Sequence, residues 1–114
     1  MNVIRIEEIY IEINKIETDR EDAEQCINEL QQYEEVAHED LRKLLANISY
    51  EFETYHGDKQ LTNLAEEKYT LLLKAEQDCS DFIKDLYKER NVINEKCESD
   101  IEKLKQELQS LEAI

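Results

Sequence analysis

The chain has no proline, and its only glycine, Gly57, lies at the midpoint of 114 residues. Proline ends a helix by removing a donor and clashing with the preceding turn; glycine ends one through backbone freedom. A chain without such punctuation forms very long helices or does not fold at all. Charged residues are 38% of the chain and mean hydropathy is −0.76. That composition is shared by disordered chains and by helices that bury a narrow stripe. Periodicity separates the two.

In the first half, apolar residues recur at Ile6, Ile9, Ile13, Ile16, Ala23, Ile27, Leu30, Ala37, Leu41, Leu44 and Ile48. The steps are three and four, with Arg20 and Glu34 in the skipped places, and the register runs on through Glu51 to Tyr55. A three–four alternation sustained over about seven heptads is a helical seam. The second half repeats it through Leu61, Ala65, Lys68, Leu72, Ala75, Cys79, Phe82, Leu86, Glu89, Ile93, Cys97, Ile101, Leu104, Leu108 and Leu111. The two consecutive steps of four from Ile93 to Ile101 are a stutter, which locally unwinds a supercoil.

Two seams with one glycine between them predict an all-α fold, an antiparallel two-helix hairpin that completes a bundle with a partner. The expected boundaries are a single hairpin over residues 1–114, with helix 1 at about 3–55, a turn at about 56–58 and helix 2 at about 59–112. Gly57 is expected in the left-handed conformation that ends a helix, and Asp58 as the cap of the next helix. Tyr55, the last place of the first seam, is expected to pack at the tip. Reversal there sets Ile9 near Leu108, Leu30 near Leu86 and Leu44 near Leu72. It also sets Arg20 near Glu98 and Asp100, and Glu34 near Lys84. Polar residues in a seam weaken it but specify register. The alternative is one continuous helix in a parallel coiled coil, since an interior glycine costs only about 1 kcal/mol.

A hairpin buries one seam per helix, and this chain carries more apolar residues than that. Ile4, Ile11, Tyr33, Val36, Leu45 and Phe52 lie beside the first seam; Tyr69, Leu73, Ile83, Tyr87 and Val92 lie beside the second. A stripe that broad belongs to helices of a bundle and marks these residues as a candidate partner-binding surface.

Net charge is −15. An acidic chain repels phosphate, which argues against nucleic acid and anionic membrane surfaces as partners. Residues 1–55 carry 15 acids against 5 bases and residues 58–114 carry 14 against 9, so the first arm is the more acidic. No apolar run approaches the roughly 18–20 residues of a membrane span. The N-terminal "MNVIRIEEIYIEINKIE" has glutamates threaded through it, unlike a signal peptide. The expectation is a cytoplasmic protein without a cleaved export signal.

Cys26, Cys79 and Cys97 form no CxxC pair and read as small apolar core residues in a reducing compartment. Glu35-x-x-His38 has the spacing of a di-iron bundle ligand pair. Its glutamate points away from the seam, however, and the facing helix offers Asp78, Asp81 and Asp85 but no inward glutamate. His56 reads as an exposed turn residue. No phosphate loop and no nucleophile with a base partner is present. The expectation is therefore no enzyme, no catalytic or metal residue and no cofactor.

An acidic helical hairpin with an aromatic-x-Gly turn, here Tyr55-His56-Gly57 followed by Asp58, resembles the WXG-type substrates of type VII secretion. Tyrosine stands where those proteins have tryptophan. The aromatic-x-x-x-acid export signal has no counterpart, since Leu73, Asn91 and Leu86 follow Tyr69, Tyr87 and Phe82 by four residues. The long arms look more like the small helical proteins that accompany LXG toxins of Gram-positive bacteria. That resemblance implies a targeting factor or chaperone that binds the toxin's helical N-terminal LXG domain, with or without a second small helical protein. It would promote export by the type VIIb machine, staying in the cytoplasm or leaving with its cargo. Only Tyr55 and Gly57 carry over as the turn signature. The competing expectation is a structural coiled coil, a homodimeric or tetrameric rod or tether.

Overall fold

A computed structural model of the chain describes residues 2–55 and 57–113, with only the backbone of residues 53 and 55. The expected packing of Tyr55 and the expected exposure of His56 fall outside the described residues. The fold is an all-α helical hairpin with no strand among the described residues. Helix α1 is Asn2–Tyr55 and helix α2 is Lys59–Glu112.

The turn is built on Asp58. Its Oδ1 accepts the backbone N–H groups of Gln60 and Leu61, both at 3.0 Å. Its carbonyl accepts the N–H of Thr62 at 2.9 Å and the Thr62 hydroxyl at 2.7 Å. Two of the four donors that a helix N-terminus leaves unpaired are thus satisfied by one carboxylate. The expected left-handed glycine is not found. No positive φ occurs among the described residues, and a Cβ placed on Gly57 meets nothing within 4 Å. Asp58, not a strained glycine, marks the start of α2.

The chain forms two compact units: Met1–Glu29 with Tyr87–Ile114, and Leu30–Leu86. In the first, Ile6, Ile9, Ile13, Ile16, Arg20, Ala23 and Ile27 of α1 face Arg90, Ile93, Cys97, Ile101, Leu104, Leu108 and Leu111 of α2. Ile9 is wholly buried, and Ile27 and Ile101 nearly so. Each helix carries one arginine in the seam. Arg20 donates to Asn94 Oδ1 at 2.9 Å and to Glu98 Oε1 at 3.1 Å. Arg90 answers it from the other helix, with its Nε 3.1 Å from Glu24 Oε1 and a hydrogen bond to Asn28 Oδ1. Each guanidinium therefore spans an asparagine and a glutamate one helical turn apart on the facing helix. At the helix ends Arg5 grips both oxygens of Glu107, at 2.7 and 2.9 Å, and also reaches Glu8 and Glu12.

In the Leu30–Leu86 unit the seam differs from expectation by one residue at every second place. The inward residues are Gln31, Glu34, His38, Leu41, Leu45, Ile48 and Phe52 of α1. They meet Thr62, Ala65, Tyr69, Leu72, Glu76, Cys79, Ile83 and Leu86 of α2. Leu30, Leu44, Leu61, Lys68 and Phe82, expected inside, are exposed, as is Glu89 of the other unit. The cause on α1 is a second stutter: Ala23, Ile27 and Gln31 follow two steps of four, where extrapolation takes Leu30. The physical preference is plain. Seams through Leu30 and Leu61 carry on to Glu51, Lys68 and Glu89; the observed ones take in His38, Glu76 and Arg90 instead but pair them between the helices, His38 with Glu76 and Arg90 with Glu24. The observed seams bring in Phe52 and Tyr69, whose rings meet edge to face with centroids 6.1 Å apart.

Candidate interaction surface

The shift of register decides which apolar residues are left in water. With the seam of the Leu30–Leu86 unit at heptad positions a and d, the unused apolar places fall mainly at g and c. In an antiparallel pair the g positions of both helices edge the same side of the seam. On α1 these places hold Leu30, Tyr33, Ala37 and Leu44; on α2 they hold Leu61, Leu64, Leu71, Ala75 and Phe82. A groove of about 460 Å³ confirms that the two rows share a side. Glu51, Leu61, Leu64 and Lys68 line it together with Phe52, Thr62 and Ala65 of the seam edge. The opposite flank is mostly polar, with Glu35, Arg42, Ser49, Glu66 and Ser80 and one exposed leucine, Leu73. There Arg42 Nε approaches Glu76 Oε1 at 3.4 Å.

The apolar stripe read from the sequence divides accordingly. Leu45 is buried, and Phe52, Tyr69 and Ile83 are half-buried within the seam, so these four are core and not surface. Tyr33 is 75% exposed, on the apolar flank. Val36 and Leu73 are exposed away from it. In the other unit Ile4 and Ile11 are exposed beside Val3 and Tyr10, one stripe on the outer side of α1. Tyr87 and Val92 are exposed on α2, with the Arg90 guanidinium 5.5 Å from the Tyr87 ring centroid. The flank residues that the sequence had placed in the seam are Leu30, Ala37, Leu44, Leu61, Ala75 and Phe82; Leu64 and Leu71 it had left unassigned. Of the turn signature, Asp58 caps α2, Gly57 lies exposed in the turn, and the Tyr55 side chain is outside the described residues.

Titratable groups in the seam are paired with one another. Glu34, expected opposite Lys84, lies instead beside the Cys79 thiol. Burial, then this carboxylate, push the thiol above its ordinary range. His38 Nε2 lies 3.3 Å from Glu76 Oε1, so α2 does supply an inward glutamate that sequence reasoning missed. Its signal was Glu76 standing seven residues after Tyr69. Glu35 is exposed and accepts from Gln31 at 2.9 Å, which separates it from His38. Among the described residues no three His, Cys, Asp or Glu side chains converge as metal ligands. No helix among them is long and apolar enough to cross a membrane. No family model, curated protein or solved structure matches the chain.

Proposed function

We propose that this chain is a non-enzymatic helical adaptor that docks laterally on a helical partner. The observation that carries the reading is the apolar flank of the Leu30–Leu86 unit, a second helix-period row left open beside a filled seam. Exposed apolar patches edged by polar residues mark interaction sites. Rows with a period of 3.6 suit helices laid alongside.

The resemblance of the Tyr55-His56-Gly57-Asp58 turn supports a particular partner class. In this reading the partner is the helical N-terminal LXG domain of a toxin exported by type VII secretion. The chain acts as its targeting factor or chaperone, from the cytoplasm. Co-expression of the chain with the LXG domain of a neighbouring toxin, followed by size exclusion, tests this. A co-eluting complex, and loss of toxin from the medium when the gene is deleted, are the expected results. Separate elution together with undiminished export would sink it. A chain that elutes alone as a stable dimer or tetramer would favour the structural coiled coil instead.

A further inference from the structure

We infer that the exposed flank of the Leu30–Leu86 unit seats an amphipathic helix of a different protein, one whose apolar stripe is edged with lysine or arginine. This rests on the adaptor reading above and adds which face is used and what chemistry fits it. Leu30 and Leu44 on α1, and Leu61, Leu64, Leu71 and Phe82 on α2, set exposed apolar side chains along one side of the unit, interleaved with polar and charged ones. Between the two helices near the turn, the groove of about 460 Å³ gives an incoming side chain somewhere to enter.

Charge chooses the occupant. At the same c and g places the charged residues are Asp40, Glu51, Asp78 and Asp85 against Lys68 alone, all exposed. A second copy would set this acidic edge against itself, with a net charge of −15 on each chain. Like charges set against each other at an interface are strongly unfavourable and suppress the wrong partner. An anionic lipid surface is disfavoured for the same reason. A helix edged with basic side chains satisfies both parts of the flank: its stripe covers the leucines and its edges meet the carboxylates.

Two synthetic helical peptides of roughly four heptads test the idea. Both carry the same leucine stripe; one is edged with lysine and the other with glutamate. Titration against the full chain is expected to show binding of the lysine peptide only. The double variant Leu44→Gln/Phe82→Gln removes apolar area without changing charge. It should weaken that binding about tenfold or more, as loss of interface anchors does. Ile11→Gln, on the outer stripe of the other unit, should leave it unchanged, and circular dichroism should show both variants folded.

If neither peptide binds, or if the double variant binds the lysine peptide as wild type does, the inference is overturned. In the second case the attraction is charge alone. Self-association of the wild type at pH 7 that the double variant abolishes overturns it too, because a second copy then covers the flank. The LXG domain separates this from the broader reading. Equal co-elution with wild type and double variant would remove the flank and keep the adaptor. Binding of the lysine peptide without the toxin domain would keep the flank and remove that partner.

Discussion

Gly57 and Asp58 exchange importance once the turn is seen. Glycine had the stronger sequence signal, being the single one in the chain. Yet it has open space around it and no left-handed φ, whereas Asp58 holds two backbone donors. Gly57→Ala is expected to leave stability unchanged or raise it by about 0.4–1 kcal/mol, because alanine restricts the unfolded chain. Asp58→Ala should cost about 1 kcal/mol, the usual loss for an N-cap. Thermal melts of the two variants would read opposite signs; destabilisation by Gly57→Ala would contradict the turn described. The cysteines separate in a similar way. Cys26, expected in the core, is exposed, while burial and Glu34 raise the Cys79 thiol. Alkylation near pH 8 should therefore label Cys26 first and Cys79 later. A raised thiol also means that its contribution to stability is present below the ordinary thiol range and fades as pH rises above it.

The register of each helix can be tested with neighbouring residues. Leu44 and Leu45 are chemically identical and adjacent, but Leu45 is 9% exposed and Leu44 44%. Leu45→Ala should cost about 2–5 kcal/mol, the range for a buried leucine. Leu44→Ala should change stability by about 0.5 kcal/mol or less, as surface substitutions do. Equal effects in chemical denaturation would mean the seam runs elsewhere. The period was readable from the sequence because every fourth or third residue is apolar. The register of the Leu30–Leu86 unit was not, because two overlapping rows, a–d and d–g, are both apolar over long stretches. Choosing Leu30 over Gln31 by polarity carried α1 into the wrong row. What tips the balance lies further along, where one row runs through Glu51 and Lys68 and the other offers Phe52 against Tyr69 and pairs His38 with Glu76. The arginines of the other unit were half legible. Arg20 was expected beside Glu98 and lies there, but the answering Arg90 was hidden behind Glu89, assigned inward in its place.

For the whole molecule, acidity acts at two places. Arg5 holds the Glu107 carboxyl below the usual carboxylate range, chiefly through their direct hydrogen bonds. A depressed carboxylate contributes stability above its unfolded value and loses it as pH falls through the folded one. The clamp between the ends of α1 and α2 should thus persist at neutral pH and open below about pH 4. Amide exchange in the first and last turns should accelerate there, and Arg5→Met should show the fast exchange already at pH 7. The sequence pI is about 4.4, so repulsion between copies vanishes near that pH. Sedimentation is expected to show a monomer at pH 7 and association near pH 4.4. Leu44→Gln/Phe82→Gln should suppress that association; an oligomer already present at pH 7 would contradict the role given to the carboxylates.

Much of this molecule follows from local rules acting on one chain. Helix throughout, one reversal at residues 57–58, antiparallel order and a cap on Asp58 all come from short-range chemistry: no proline, a three–four period and one carboxylate beside the only glycine. The excess of apolar residues was also countable in advance. Which of them would be surface was not, because burial depends on how both helices rotate about their axes at once. Only when the two seams meet does Phe52 against Tyr69 outweigh Leu30 and Leu61. That rotation leaves Leu44 and Phe82 facing water, edged by carboxylates.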